Sequence, residues 1–137
     1  AKPNITEVVL LWCYAANRAL IEWTGVPLRV ILDEVGVKPG AKEVVFYGID
    51  GWTRSLTMEY LSRKNYKYGR EVILAYNMCG ETLPFERGYP LRLVAPDKYG
   101  YMWVRWIVRI EVVNYTYQDY PPLPPGQPSE GDFEEAP

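Results

Sequence analysis

The apolar residues of this chain fall into short runs that are rich in Val, Ile, Tyr and Trp and are separated by Gly, Pro or Asp-Gly. Residues 6–12 (TEVVLLW), 41–50 (AKEVVFYGID) and 71–78 (EVILAYNM) are such runs. Side chains branched at Cβ and aromatic rings favour extended backbone, and runs of this length are typical of strands. We therefore predict a strand-rich chain in which the first run is a buried strand.

Two segments between these runs have the pattern of helices. In residues 26–37 (VPLRVILDEVGV) apolar side chains recur at helical spacing, with Pro27 at the start and Gly36 at the end. Pro in the first turn and Gly after the last turn are typical helix boundaries, so this segment is predicted to be a short amphipathic helix. The preceding residues, 24–27, are interpreted as a tight turn, and residues 58–65 (MEYLSRKN) as one or two helical turns.

The remaining patterns predict further strands. The Asp50-Gly51 pair is a hairpin signal, so residues 51–58 are expected to pair with the strand before them. Over residues 103–117 apolar and charged residues alternate, which predicts a half-buried strand on which Trp103 is partly exposed. The predicted fold class is α+β: a mixed, strand-rich domain with one or two short helices rather than alternating β–α–β units.

The composition changes towards the C-terminal end. From Tyr120 the residues (YPPLPPGQPSEGDFEEAP) are rich in Pro and acidic side chains, which cannot supply a packed core. We predict a domain over residues 1–118 and a Pro-rich acidic tail over residues 119–137. The tail is expected to be disordered or extended, in the polyproline II conformation.

Composition and charge exclude several functions. The 137-residue chain has a net charge of −2 and no basic stripe, so nucleic acid is not an expected partner. No apolar run approaches the roughly 18 residues of a membrane span. Because the chain has no histidine, His-based zinc sites, Ser-His-Asp triads and Cys-His pairs are excluded.

The two cysteines are the remaining candidates for thiol chemistry. Cys13 lies at the end of an apolar run, in LLWCYAANRALIEWTGVPL, and Cys79 lies in NMCGETLP. From the residues alone, a cysteine in the position of Cys13 is most often a small buried apolar side chain. A disulfide between the two is a second interpretation, which requires their Cα atoms to lie within about 7 Å.

Four motifs in a fixed order resemble a known family. They are Trp-Thr-Gly-Val-Pro-Leu at 23–28, Leu-Ala-Tyr at 74–76, Gly-Glu-Thr-Leu-Pro at 80–84 and Gly-Tyr-Pro-Leu-Arg-Leu at 88–93. This combination resembles the molybdopterin-binding domain of the sulfite oxidase family, which includes catalytic subunits that reduce oxidised methionine. The similarity runs from about Cys13 to Val113 and implies the fold of that domain.

The resemblance also implies a molybdenum cofactor, molybdopterin, held by particular side chains. In this family a cysteine upstream of the Trp-x-Gly motif gives its thiolate to molybdenum, and Cys13, ten residues before Trp23, matches it. A soft thiolate suits such a transition metal. Arg92 matches the arginine that contacts the pterin or its phosphate, since a guanidinium binds anions through two parallel hydrogen bonds. The other candidate cofactor-binding residues are Asn17, Arg18 and Arg105.

The implied activity is that of an oxidoreductase that moves an oxygen atom to or from a small sulfur-containing substrate. A haem or quinol partner would handle the electrons. Cys13, Arg87 and Asp50 are the candidate catalytic residues; Arg87, together with Arg18, is expected to polarise an anionic substrate. Asp50 and Trp52 are expected at the rim of the cleft, although an Asp before Gly is also an ordinary turn residue. Export from the cytoplasm is common in the family, and a cytoplasmic location is the alternative.

The chain departs from the family pattern at several positions. Cys79 stands where the family has Asn, Arg87 stands where it has His, and Tyr101 or Met102 takes the place of a basic residue. The upstream segment that closes over the pterin in the family is expected to be missing or reduced. These departures favour an alternative function, a non-enzymatic or cofactor-less module on the same fold that binds a protein partner.

Overall fold

The computed structural model describes residues 3–13, 17–62, 70–128 and 131–132, which form eight strands, two α-helices and two short 3₁₀ helices. The strands are β1 (Ile5–Trp12), β2 (Arg18–Pro27), β3 (Glu43–Gly48), β4 (Thr53–Thr57), β5 (Ile73–Met78), β6 (Glu81–Thr82), β7 (Arg92–Val94) and β8 (Ile107–Val113). The α-helices are α1 (Leu28–Val35) and α2 (Met58–Leu61), and the 3₁₀ helices are Phe85–Arg87 and Gly100–Met102. The predicted α+β, strand-rich architecture is confirmed.

The larger sheet is built around β5. β1 pairs with β2, β2 pairs with β5, and the far side of β5 pairs with both β6 and β7, all antiparallel. Arg92, the first residue of β7, is registered opposite Ala75 of β5. This pairing places the start of β7 beside the middle of β5, where the Arg92 side chain is buried.

The smaller sheet has the order β4–β3–β8 and is also antiparallel. The predicted hairpin at Asp50-Gly51 is confirmed, with Tyr47 of β3 registered opposite Thr53 of β4. The two sheets and the helices bury one apolar core. Its largest fully buried members include Trp23, Tyr60, Phe46, Leu28, Leu56, Ile73, Leu83, Leu93 and Met102.

The predicted amphipathic helix is confirmed as α1. It begins directly after Pro27, and the Gly36 N–H closes its last turn by donating to the Leu32 carbonyl at 3.0 Å. Leu28 and Leu32 are buried because they lie on the same face of the helix. The second predicted helix is the single turn α2, and residues 63–65 of that prediction lie outside the described residues.

The predicted turn at residues 24–27 is wrong. β2 runs without interruption through these residues into α1, with a shift of register between Thr24 and Gly25 where it pairs with β5. A Cβ on Gly25 would lie 2.1 Å from the Leu74 carbonyl oxygen, so glycine permits the close approach of the two strands here. The glycine therefore marks a bulge, not a turn.

The strand predicted over residues 103–117 is shorter than expected. Trp106 has a φ of 51°, and the register between β3 and β8 shifts near Gly48. These irregularities break the alternation, so Val108 is 62% exposed and Arg105 precedes the strand instead of lying on it. Trp103 was expected to be partly exposed, which is wrong: it is 2% exposed and belongs to the core.

The first apolar run is a strand, as predicted, but not a buried one. β1 lies at the edge of the larger sheet and pairs only with β2 among the described strands. Val9 is buried, while Val8 on the opposite face is exposed. A strand with one covered face buries only alternate side chains.

The described part of the C-terminal tail contacts the rest of the molecule. Thr53 N donates to the Tyr120 carbonyl at 2.6 Å, and Lys98 Nζ lies 2.9 Å from Asp132 Oδ1. Backbone groups and one carboxylate make these contacts. Neither belongs to the apolar side chains from which composition predicts packing. Residues 129–130 and 133–137 lie outside the described residues, and the domain boundary after residue 118 stays a prediction.

Replacing Cys79 by Asn is expected to stabilise the fold. Cys79 and Gly80 form the two-residue connection between β5 and β6, with φ values of 53° and 79°. Asn tolerates this left-handed conformation better than other side chains, so the free energy of unfolding should rise by roughly 0.5–1 kcal/mol in urea denaturation. Cys79→Val, a branched side chain of similar size, should lower it. A Val variant at least as stable as the Asn variant would contradict this reading of the turn.

Candidate functional site

A cavity of about 260 Å³ lies where loops from both sheets meet. The loop after β1, the β3–β4 hairpin, the segment around β7 and the segment before β8 contribute to its lining. The lining residues are Leu11, Cys13, Asp50, Trp52, Arg87, Arg92, Gly100, Tyr101, Trp103 and Arg105. The cavity therefore combines one thiol and one carboxylate with three guanidinium groups.

Cys13 follows β1 directly and presents its thiol to this cavity. Its backbone N–H donates to the Asn17 carbonyl at 3.2 Å, which holds the residue at the mouth of the β1–β2 connection. On the opposite wall, a Cβ on Gly100 would lie 3.3 Å from Cys13 Sγ. Cys13 is exposed, so the interpretation as a buried apolar side chain is wrong. The proposed disulfide is also wrong, because Cys13 and Cys79 are both free.

Arg92 is the most buried charged group of the cavity. Only 4% of the residue is exposed, and its guanidinium lies 5.0 Å from the Trp23 ring centroid and 5.6 Å from that of Trp103. Its Nη1 donates to the Arg87 carbonyl at 2.8 Å. Its Nε is buried without a hydrogen-bond partner among the described residues. A buried donor without a partner is costly, so this guanidinium favours an acceptor beyond those that the described residues supply.

The pKa of Arg92 is lowered to about 9, chiefly because burial disfavours the charged guanidinium and also because the charges of Arg105 and Arg87 repel it. The nearby Cys13 thiol acts in the opposite direction, since a thiolate would favour the charged guanidinium. The field at Arg92 is therefore strongly positive. An anion bound in the cavity would relieve both the desolvation and the repulsion.

Gly88 allows the arginines to converge. It follows the 3₁₀ helix in a left-handed conformation with a φ of 119°. A Cβ at this position would lie 2.9 Å from Arg92 Cβ and 3.2 Å from Arg105 Cβ. Glycine is thus needed both for the backbone angle and for the space between the two arginines.

Arg87, Arg105 and Asp50 line the cavity, as the sequence predicted. Arg87 and Arg105 are exposed, and Arg105 donates to the Glu86 carbonyl at 3.1 Å. Asp50 Oδ1 accepts a hydrogen bond from Trp52 N at 3.1 Å, so the carboxylate shapes the hairpin as well as the rim. Their catalytic and cofactor-binding roles stay predictions.

Asn17 and Arg18, the other predicted cofactor-binding residues, are not part of the cavity lining. Both are exposed, and the Arg18 guanidinium lies 5.0 Å from the ring centroid of Trp12. Arg18 is registered opposite Trp12 in the β1–β2 pair, which explains this stacking. A role in cofactor binding stays a prediction for both residues.

Several residues of the site were not predicted from the sequence. Trp23 and Trp103 pack edge to face, with ring centroids 5.7 Å apart, and together hold the Arg92 guanidinium. Gly100 and Tyr101 form the wall opposite Cys13. One signal was available for Gly100: a glycine inside the aromatic segment YGYMW indicates a close approach of the backbone. No local pattern pairs Arg92 with two tryptophans distant in the chain.

The side chains of the cavity fit a molybdenum cofactor. The thiol is the kind of soft ligand that such a metal takes from a protein. Arg92 offers a buried donor with no acceptor in the described residues, and guanidinium groups are well suited to phosphate. No cluster of three or more Cys, Asp or Glu side chains that could hold a metal ion by itself occurs in the described ranges. Within those ranges, no helix is both long and apolar enough to span a bilayer.

Comparison with known proteins agrees with this reading of fold and site. The chain belongs to the oxidoreductase molybdopterin-binding domain family, whose profile matches residues 10–121. The predicted membership of the sulfite oxidase type is thereby confirmed, and the match includes Cys13, Arg92 and every other residue that lines the cavity.

Individual relatives have different activities. The chain is 33% identical over 125 residues to the protein-methionine-sulfoxide reductase catalytic subunit MsrP of Gluconobacter oxydans, covering 82% of this chain and 40% of that protein. It is 34% identical over 127 residues to the NADH nitrate reductase of Solanum lycopersicum, covering 83% of this chain and 14% of that enzyme. The crystal structure of the sulfane dehydrogenase SoxCD from Paracoccus pantotrophus has a TM-score of 0.69 and 33% identity, covering 82% of this chain and 32% of that chain. The chain thus spans less than half the length of each of these relatives.

Replacing Arg92 by Met is expected to stabilise the cofactor-free protein. The pKa of Arg92 is lower in the folded than in the unfolded protein, so folding disfavours its charge. This penalty is fully present below pH 9 and is lost as the pH rises from there towards the unfolded value. Met packs well against aromatic rings, so the free energy of unfolding should rise by roughly 1–3 kcal/mol at pH 7, measured in urea.

Arg105→Met is the matched control for this substitution. Arg105 is exposed, so its replacement should change the free energy of unfolding by no more than about 0.5 kcal/mol. A loss of stability in Arg92→Met larger than that in Arg105→Met would show that the buried charge is already compensated within the chain.

Proposed function

We propose that this domain binds molybdopterin in the cavity beside Cys13 and carries out oxygen-atom transfer on a small sulfur-containing substrate. The observation that carries the proposal is the pairing of a buried, incompletely bonded Arg92 with an exposed free thiol in one cavity. If these two groups only stabilised the fold as a pair, Arg92 would be fully hydrogen-bonded and the thiol would not be exposed. The family, with its molybdopterin-binding domain, supports the same cofactor.

Arg92 and Cys13 would bind different parts of the cofactor. Arg92 would hold the anionic part of the cofactor, since it is fixed between Trp23 and Trp103 and cannot swing into water. Cys13 would give its thiolate to the metal.

The exposed arginines of the cavity are suited to the substrate. Arg87 and Arg105 are exposed at the cavity, where an anion can reach their guanidinium groups from solvent. Asp50 lies beside them and would disfavour a second bound anion. When bound, the cofactor would supply the two-electron redox chemistry by which a sulfur atom gains or loses one oxygen atom.

The rival function, a cofactor-less module that binds a protein partner, is opposed by one observation. Such a module would be expected to fill the space beside Cys13 with its own side chains, whereas the described residues leave a cavity there. Its volume is slightly below the range of about 300–1,000 Å³ usual for small-molecule sites. The described walls therefore suit part of a cofactor and do not enclose one completely.

The proposed substrate class, electron partner and location are inferred from the relatives. A sulfur compound is chosen as substrate because MsrP and the sulfane dehydrogenase are named for sulfur chemistry, whereas the nitrate reductases are not. A haem or quinol partner would exchange the electrons. An extracytoplasmic location is proposed on the same family grounds.

Cofactor loading tests the proposal directly. Produced in a host that makes molybdopterin, the protein should contain about one molybdenum atom per chain, and Cys13→Ser should lose most of it. Arg92→Met should lose both metal and pterin because the anion contact is gone. Metal analysis and pterin fluorescence after denaturation give the two readouts.

Cys79→Ser is the matched control for the cysteine variant, since it makes the same chemical change at a residue outside the cavity. It should keep the metal content of the original protein. Molybdenum that stays near zero in the unaltered chain, or that is equally present with Ser at position 13, would refute cofactor binding at this site.

Substrate class is tested on the loaded protein with dye electron carriers. We expect reduction of a small sulfoxide or oxidation of sulfite, and little turnover of nitrate, which is the substrate class of the other relatives. Arg87→Ala should weaken apparent substrate affinity by about tenfold if it contacts the anion, which corresponds to about 1.4 kcal/mol. Turnover of nitrate alone would reject the sulfur substrate while leaving cofactor binding intact.

A further inference from the structure

The C-terminal residues that the structure describes lie against one wall of the candidate site. We call residues 120–128 and 131–132 the strap. Residues 98–103 are the site wall, because three of them line the cavity: Gly100, Tyr101 and Trp103. The strap belongs to the tail that was predicted to be disordered or extended, and its contacts are divided between this wall and β4.

The first tie is an ion pair at the start of the wall. Lys98 is 1% exposed, and its Nζ lies 2.9 Å from Asp132 Oδ1 and 4.4 Å from the ring centroid of Tyr60. A buried ammonium needs a counter-charge, since its isolated burial is strongly unfavourable. Asp132 supplies that charge from the strap.

Further ties follow along the wall. Tyr99 N donates to the Gly131 carbonyl at 2.9 Å, and Tyr101 Oη lies 3.2 Å from Gln127 Oε1. A Cβ on Gly131 would lie 2.3 Å from Met102 Cγ, so the strap backbone rests on that side chain. The strap thus contacts the wall at four of its six residues: Lys98, Tyr99, Tyr101 and Met102.

Arg54 donates hydrogen bonds to both the site wall and the strap. This residue of β4 is 1% exposed; its Nε donates to the Tyr101 carbonyl at 2.8 Å and its Nη1 donates to the Pro121 carbonyl at 2.7 Å. Trp52 Nε1 donates to the same Tyr101 carbonyl at 3.1 Å. One guanidinium therefore fixes the strap and the site wall relative to the smaller sheet.

The opposite side of the wall faces the thiol. Gly100 approaches Cys13 so closely that a Cβ there would lie 3.3 Å from the sulfur and 3.2 Å from Leu11 Cδ1. A small outward movement of residues 98–103 would widen the cavity and expose more of Cys13. The width of the site beside the thiol is thus set by contacts on the far side of the wall.

We propose that the strap holds the site wall against Cys13, with Lys98 and Asp132 as positioning residues of the site. They touch neither the cavity nor its thiol; they act through residues 99–101. The inference rests on the proposed function for its importance, because the same thiol is the proposed metal ligand. Its test does not need the cofactor.

Alkylation of the two cysteines by iodoacetamide in the cofactor-free full chain tests this inference. Asp132→Asn removes the counter-charge, and Gln127→Ala removes only the contact with Tyr101. Both should raise the alkylation rate of Cys13 by about threefold, because the residue is exposed but Gly100 covers one side of its sulfur, and an outward movement of the wall uncovers that side. Peptide mass analysis of the same samples reports Cys79, which lies outside the cavity and should react at its original rate.

Asp33→Asn, which makes the same charge change on the exposed face of α1, is the control and should change neither rate. If Asp132→Asn does not fold, Gln127→Ala decides alone. An unchanged Cys13 rate in the folded variants, or an equal rise for Cys79, would overturn the inference, the latter because it indicates general loosening. A protein that binds no molybdenum would refute the proposed function and leave this result standing.

Discussion

The stacking of the Arg92 guanidinium on Trp23 and Trp103 is the interaction that links the core of this protein to its cavity. Both indoles are core residues, and Arg92 begins the strand that lies against the centre of the larger sheet. A cation in that place loses water on most sides. Its Nε has no hydrogen-bond partner among the described residues, so the fold favours a bound anion on the cavity side.

The antiparallel pairings bring the other site residues to the same place. β1 ends at Trp12 and delivers Cys13, while the β3–β4 hairpin delivers Asp50. Cys13 lies directly after β1 and Asp50 lies two residues after β3, so both side chains are held close to strand ends. Gly88 then lets the arginines approach one another, which an L-residue with a side chain would prevent. The site is thus preorganised by strand ends more than by flexible loops.

Much of the fold could be predicted because local preference and tertiary structure agree in α1 and β3 to β5. β2 could not be recognised in full, since Gly25 and Pro27 indicate a turn locally while pairing on both edges imposes a strand. Cys13 and Arg92 were found through motif order. The burial of Arg54 was not predicted, because charged residues are usually exposed. A signal was available, since the apolar Leu56 lies on the same face of β4 and indicates that this face is buried.

Local charge, not net charge, decides what this protein can bind. A net charge of −2 gives no reason to expect a polyanion, because a long phosphate backbone needs a broad basic surface. A compact anion needs only a few donors in a site of low dielectric, where each contact is stronger than in water. Three guanidinium groups and one carboxylate around a cavity of about 260 Å³ meet that condition. The strap then has a different role at the same wall, since its Asp132 pairs with the buried Lys98 without adding negative charge to the cavity lining.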